Sequence, residues 1–235
     1  METLRISLPT MVQAAQGTLT TKICDDRLDS WSRALVQQAG IRLDVEGTEN
    51  IVRGEPFVVM SNHQSHYDIP VLFQSLKIPL RMVAKKEIFR IPFMAGAMRA
   101  AGFVEIDRKD PASAIRALKL AHTQLGDAVS LWIAPEGTRS KTGSVGRFKK
   151  GGFHLAMEAG MRVLPVAIEG TRFALPAGGV TVTRGAVARV VVLPPIDPRD
   201  YAGRLPGFVA AVRAAIVKAL PPAMNGEPSR ARSTG

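Results

Sequence analysis

The sequence predicts an α/β domain built on a mainly parallel, mixed central sheet flanked by helices, with an N-terminal helical element ahead of it. Three observations carry this. Seven short β-rich runs recur along the 235 residues; several are apolar throughout, as strands covered on both faces are; and stretches with helical apolar spacing and cap residues lie between them.

Residues 10 to 24 carry a weak helical pattern. Asp29 or Ser30 then reads as the cap of a helix with Trp31, Leu35 and Ala39 on one stripe, stopped by Gly40. Residues 1–40 form the helical element. Strands follow at Ile41–Val45, Phe57–Met60, Leu80–Ala84, Gly102–Ile106, Val129–Ala134, Val163–Ile168 and Val187–Leu193. After the fourth, Asp110 caps and Pro111 opens a helix that turns Ile115, Leu118, Ala121 and Leu125 inward and Arg116 and Lys119 outward, with Gly126 as its terminator. Phe208–Leu220 places Val209, Val212, Ile216 and Leu220 on one helical face. The α/β body spans 41–220, and the Pro-, Ser-, Gly- and Arg-rich stretch 221–235 reads as a flexible tail.

Hydrophobic residues at 46% and charged residues at 22% exclude a disordered or collagen-like chain. The net charge of +11 calls for an anionic partner: nucleic acid, a phosphorylated metabolite or an acidic membrane surface. The first fifty residues sum to −2, so the basic surplus belongs to the body of the chain. One cysteine, Cys24, allows no intramolecular disulfide and fits a reducing compartment. No uncharged apolar run of 18 residues occurs, so no spanning helix is expected.

In such sheets ligands gather at the carboxyl ends of strands, which singles out three junctions. The first is Phe57–Asp68, an apolar strand running into Asn62, His63, Ser65, His66 and Asp68. On a straight helix His63 and Asp68 would point about 140° apart, so they meet only with His63 on the loop and Asp68 in the first turn of the next helix. That arrangement makes a histidine–carboxylate pair with one imidazole nitrogen left free as a general base. Two other readings remain open: simple capping of helix amides by the Ser, Asn and Asp, or a metal held by His63, His66 and Asp68.

The second junction, Gly102–Asp110, ends in Asp107, Arg108 and Lys109; Arg108 either clamps a phosphate or pairs with Asp107 or Asp110. The third, Leu131–Ser140, breaks into a turn offering Glu136 as acceptor, Thr138 as hydroxyl and Arg139 as cation. From Arg139 to Lys150 there are five cations and no acid, either a solvated loop or an anion site completed by the helix that opens at Gly151-Gly152.

Taken together these junctions resemble the glycerophospholipid acyltransferase family, in particular the 1-acyl-sn-glycerol-3-phosphate acyltransferases. The family's Asn-His-x4-Asp block matches Asn62-His63 through Asp68, and its Gly-x-x-x-Ile-Asp-Arg block matches Gly102 to Arg108. The third block reads Ala134-Pro-Glu-Gly-Thr-Arg-Ser140, with Ala134 in place of the usual Phe, and the fourth matches Leu164-Pro-Val-Ala-Ile168. The likeness covers about residues 50 to 195. It implies that His63 deprotonates a glycerol hydroxyl, that Asp68 orients His63, and that the alkoxide attacks an acyl thioester with no acyl-enzyme. It further implies that Arg108, Glu136, Gly137, Thr138 and Arg139 hold the phosphate head group, with Lys85 stabilising the thioester oxyanion or the phosphate.

The implied co-substrate is acyl-CoA or acyl carrier protein, with no metal or other cofactor. The implied acceptor is 1-acylglycerol 3-phosphate, giving phosphatidate in phospholipid biosynthesis, or another lyso-lipid such as a lyso-ornithine lipid. Many members carry an N-terminal hydrophobic anchor; here peripheral attachment to the cytoplasmic face of a membrane is expected instead, through the basic body or through apolar residues such as Leu19, Ile23 and Trp31. A basic nucleic-acid-binding protein is the rival reading; 6% aromatic content and the lack of a DNA- or RNA-reading motif count against it, and no nucleic-acid partner is expected.

Overall fold

Each predicted strand forms. The structure, a computed structural model, describes residues 2–91, 94–106 and 129–224. The strands are β1 (Arg42–Glu46), β2 (Val58–Ser61), β3 (Leu80–Lys85), β4 (Val104–Ile106), β5 (Ser130–Ile133), β6 (Val163–Glu169) and β7 (Val187–Val192). They make one seven-stranded sheet in the order β1-β7-β6-β2-β5-β3-β4. Every neighbouring pair is parallel except β6 with β7. The sheet is therefore mixed, and β2, β3, β5 and β6 all discharge their chains at the same edge.

The central strands are apolar throughout because both faces are covered. In β2 and the residue before it, Phe57 and Val59 enter one buried cluster while Val58 and Met60 enter the other, the two-residue period of a strand dividing the core. The first cluster lies under α2 (Thr21–Gln38) and α3 (Asp68–Leu76), with Leu28, Val36, Val71, Leu72 and Leu76 in it. The second lies under α5 (Gly151–Ala159) and α7 (Leu205–Lys218), through Phe153, Leu155, Phe208, Val212 and Ile216. Each of these buried side chains contributes about 1.5–3 kcal/mol by leaving water.

The N-terminal reading needs two corrections. Helix α1 spans Glu2–Ala15, and α2 is a separate helix that begins at Thr21, where the Thr20 hydroxyl caps Ile23 N–H at 3.2 Å. Gly17, at φ +68°, sits in the turn between them. Asp29 caps nothing, since it lies in the middle of α2 and is bonded to Gln74 Nε2 of α3 at 3.1 Å and to Nζ of Lys77, the residue that ends α3, at 2.7 Å. The buried stripe of α2 is accordingly Cys24, Leu28, Ser32 and Val36, with Trp31 at its margin. Gly40 does end the helix, in the left-handed region at φ +58°. Burial pushes the Cys24 thiol above its ordinary pKa, which leaves it unreactive.

Buried Arg81 of β3 ties the N-terminal helices to the sheet: Nη1 donates to Asp25 Oδ1 at 2.6 Å and Nε to Ala101 O at 2.5 Å. Helix α1 docks on α2 through Trp31 Nε1 to Thr3 Oγ1 (3.2 Å) and Arg27 Nη1 to Thr10 Oγ1 (2.9 Å). Met11 rests against Gly96 of α4 (Met94–Ala100). The far side of α1 exposes Leu4, Leu8 and Val12. No helix among the described residues is long and apolar enough to cross a membrane. The helix expected from Asp110 to Leu125 lies outside the described residues, as does the tail beyond Met224; Met224 itself is packed, its carbonyl accepting from Val145 N–H at 2.9 Å.

Candidate active site

The loop from β2 into α3 is the centre of the site. Asn62 extends the β2–β6 ladder with its side chain, Nδ2 donating to Ile168 O and Oδ1 accepting from Ile168 N–H, both at 2.8 Å. Gln64 Nε2 reaches the same carbonyl at 2.7 Å. Held between these two anchors, His63 sits on the loop and Asp68 is the first residue of α3. Their side chains meet, His63 Nδ1 standing 2.7 Å from Asp68 Oδ2. A carboxylate on Nδ1 keeps the proton there and leaves the Nε2 lone pair to act as a base.

Asp68 is fully buried, and its Oδ2 also accepts Gln64 N–H at 2.7 Å and Ser65 N–H at 3.0 Å. Amide capping and the histidine pair are thus served by one carboxylate. The metal alternative does not assemble, since no three His, Cys, Asp or Glu side chains among the described residues converge on a common point. The Trp132 ring stands edge-on to His63, centroids 5.5 Å apart, with its Nε1–H anchored on Ser61 Oγ at 2.9 Å. The imidazole therefore has a fixed wall on one side.

The Pro135–Ser140 turn follows β5, the neighbour of β2, and Ser140 N–H donates to His63 O at 2.7 Å. Gly137 adopts φ +73°, a left-handed conformation that favours glycine, and the Lys149 side chain of the basic loop lies against it. Thr138 is exposed. Arg139 is half-buried, and its Nη1 is buried with no hydrogen-bond partner among the described residues. Burial, and then the charge of Arg139, push the neighbouring His66 below its ordinary pKa.

Glu136 is placed differently from its neighbours. It is buried, with Oε1 accepting His63 N–H at 2.9 Å and Oε2 accepting Gly146 N–H at 2.7 Å. Burial raises its carboxyl above the ordinary value, against the pull of those two amides. Both of its oxygens are committed to backbone, whereas the family resemblance implies that it helps hold the head group. Lys85 is exposed at the end of β3; β5 separates β3 from β2, so Lys85 stands about 10 Å across the sheet from the loop. Arg108, two residues past the end of β4, lies outside the described residues.

Sequence reasoning passed over Thr171, which opens the one-turn helix α6 (Thr171–Ala174) after β6 and donates from Oγ1 to Asp68 Oδ1 at 2.5 Å. The signal was present: Gly170-Thr171 is a small polar pair directly after an apolar strand, the same junction rule that exposed the other three.

Known proteins similar to this chain in sequence and fold are acyltransferases. A family model described as Acyltransferase matches residues 42–169. The chain is 38% identical over 156 residues, 66% of its own length and 44% of the relative's, to the chloroplastic 1-acyl-sn-glycerol-3-phosphate acyltransferase LPAT1 of Arabidopsis thaliana. It is 39% identical over 130 residues, 55% of this chain and 50% of the other, to a 1-acyl-sn-glycerol-3-phosphate acyltransferase of Pseudomonas aeruginosa. The crystal structure of the 1-acyl-sn-glycerophosphate acyltransferase PlsC from Thermotoga maritima aligns with a TM-score of 0.69 at 31% identity, over 82% of this chain and 77% of that one. The chain spans about half the length of the curated relatives it matches.

Proposed function

The chain belongs to the Acyltransferase family, and from that premise we propose that it moves a fatty acyl group from acyl-CoA or acyl carrier protein to the free hydroxyl of 1-acylglycerol 3-phosphate, giving phosphatidate. The observation that carries the reading is the 2.7 Å His63–Asp68 pair, with the partnerless Arg139 nitrogen on the neighbouring turn. His63 Nε2 takes the acceptor's hydroxyl proton as that oxygen attacks the thioester carbonyl. A C–O ester bond forms, the C–S bond breaks, and the proton passes from His63 to the departing thiolate. Asp68 holds the ring and stabilises the imidazolium in between.

Arg139 receives the acceptor phosphate in a charge-assisted contact, with the Gly137 and Thr138 turn, Arg108 and Lys85 as the further groups around it. Attachment to the membrane is peripheral, at its cytoplasmic face. The outer face of α1 supports a peripheral contact: Leu4, Leu8 and Val12 recur four residues apart on the solvent side, and the +11 charge draws the body to anionic lipid. Leu19, Ile23 and Trp31 are partly buried and less suited to that contact.

The test is thiol release from an acyl-CoA, and separately from an acyl carrier protein, against a panel of lyso-lipids, with the parent chain and His63→Ala side by side. The parent should consume donor with lysophosphatidate and the variant should lose at least about a thousandfold. Equal rates for the two proteins would end this mechanism, and turnover confined to another lyso-lipid would replace the acceptor.

A further inference from the structure

The carboxylate of Asp68 is unevenly supplied. Oδ2 receives the His63 ring and two backbone amides, while the single donor found on Oδ1 among the described residues is the Thr171 hydroxyl at 2.5 Å. Both residues are fully buried, so no water stands ready to replace that hydroxyl. Thr171 is brought there by a constrained backbone. Gly170 adopts φ +88°, and a Cβ on it would lie 1.9 Å from Val187 O, so the chain turns inward off β6 at a position that only glycine fits. The same segment is strapped to the catalytic loop at its other end by Ser65 Oγ donating to Leu175 O at 2.7 Å.

We propose that Thr171 is a positioning residue for the transfer reaction, acting through Asp68: its hydroxyl holds Oδ1 so that Oδ2 stays in line with His63 Nδ1. The inference rests on the functional reading above. Without the hydroxyl, a buried carboxylate oxygen loses its donor, the carboxylate is free to rotate, and the imidazole loses the partner that fixes its orientation. A hydrogen bond to a charged acceptor corresponds to about a 10- to 100-fold effect on rate.

Thr171→Val replaces the hydroxyl with a methyl of the same shape, and Thr171→Ser keeps the hydroxyl and drops the methyl. In steady-state assays with acyl-CoA and lysophosphatidate, the Val variant should lose about 10- to 100-fold in kcat, with both KM values within about threefold of the parent. The Ser variant should keep kcat within about threefold. A purely packing role for the side chain predicts the reverse order, with Ser the poorer variant, and that result overturns the proposal. So does a Val variant with the parental kcat. If the Val protein does not fold, the Ser variant alone decides: a kcat within about threefold of the parent supports the assignment, and a loss of about 10- to 100-fold refutes it. A parent chain that transfers no acyl group would defeat the functional reading instead, before either variant is compared.

Discussion

Replacing Glu136 by Gln separates two roles for this residue. The side chain keeps its shape, but one of its two acceptor oxygens becomes an NH2 that confronts a backbone N–H, either that of His63 or that of Gly146. Leaving one buried amide unpaired costs about 1–3 kcal/mol. Removing a carboxylate whose burial already raises its pKa returns part of that, so a net loss of about 1–2 kcal/mol is expected. For a domain of this size that corresponds to roughly 2–8 °C in Tm. The catalytic effect is larger than the stability effect, because Glu136 holds the main chain of His63 itself. A shift of the base by about 1 Å costs on the order of 100-fold in rate. The Glu136→Gln variant should therefore show kcat down by about 10- to 100-fold, with KM for the lyso-lipid nearly unchanged and a measurably lower Tm, read by thiol release and thermal denaturation. An unchanged kcat and Tm with a raised acceptor KM would refute the reasoning, and would return Glu136 to the head group where the family resemblance puts it.

Two further outcomes are expected. Burial raises the Glu136 carboxyl, so the native state holds that proton more tightly than the unfolded chain does, and the residue favours folding at acid pH. That contribution is lost as pH climbs from the ordinary glutamate value through the raised one; the Tm deficit of Glu136→Gln should be widest at acid pH and narrow towards neutrality, and a deficit that widens instead would contradict the burial argument. On α1, Leu8→Glu puts a charge in the middle of the exposed apolar face and should weaken cosedimentation with vesicles containing anionic lipid several-fold while leaving turnover of a short-chain, monomeric acceptor intact; unchanged sedimentation would remove α1 from the membrane contact.

The strands were legible because their information is local. Val163–Ile168 or Phe57–Met60 reads as a doubly covered strand from its own residues, and the register of β2 against β5 and β6 adds nothing to that identification. The histidine–carboxylate pair was legible as a possibility, since a five-residue spacing lets the two meet only across a loop-to-helix boundary, but capping and metal binding stayed open until the fold placed the side chains. The N-terminal helices were misread where local signals compete. Asp29 and Thr20 are both good caps in isolation, and what takes Asp29 out of the contest is Gln74 and Lys77, on and just past a helix more than forty residues away.

By itself, then, the sequence determined the α/β class and the seven strands, which follow from hydrophobic period, and it narrowed His63 and Asp68 to a loop-to-helix junction where they could pair; the structure brings them to 2.7 Å. Only the tertiary structure decided that Glu136 turns inward to hold His63 and that Thr171, 103 residues from Asp68, completes its hydrogen bonding. The physical reason is that a buried polar atom must find its partner wherever the folded chain happens to bring one, and that choice depends on the path of the whole sheet rather than on any neighbouring residues.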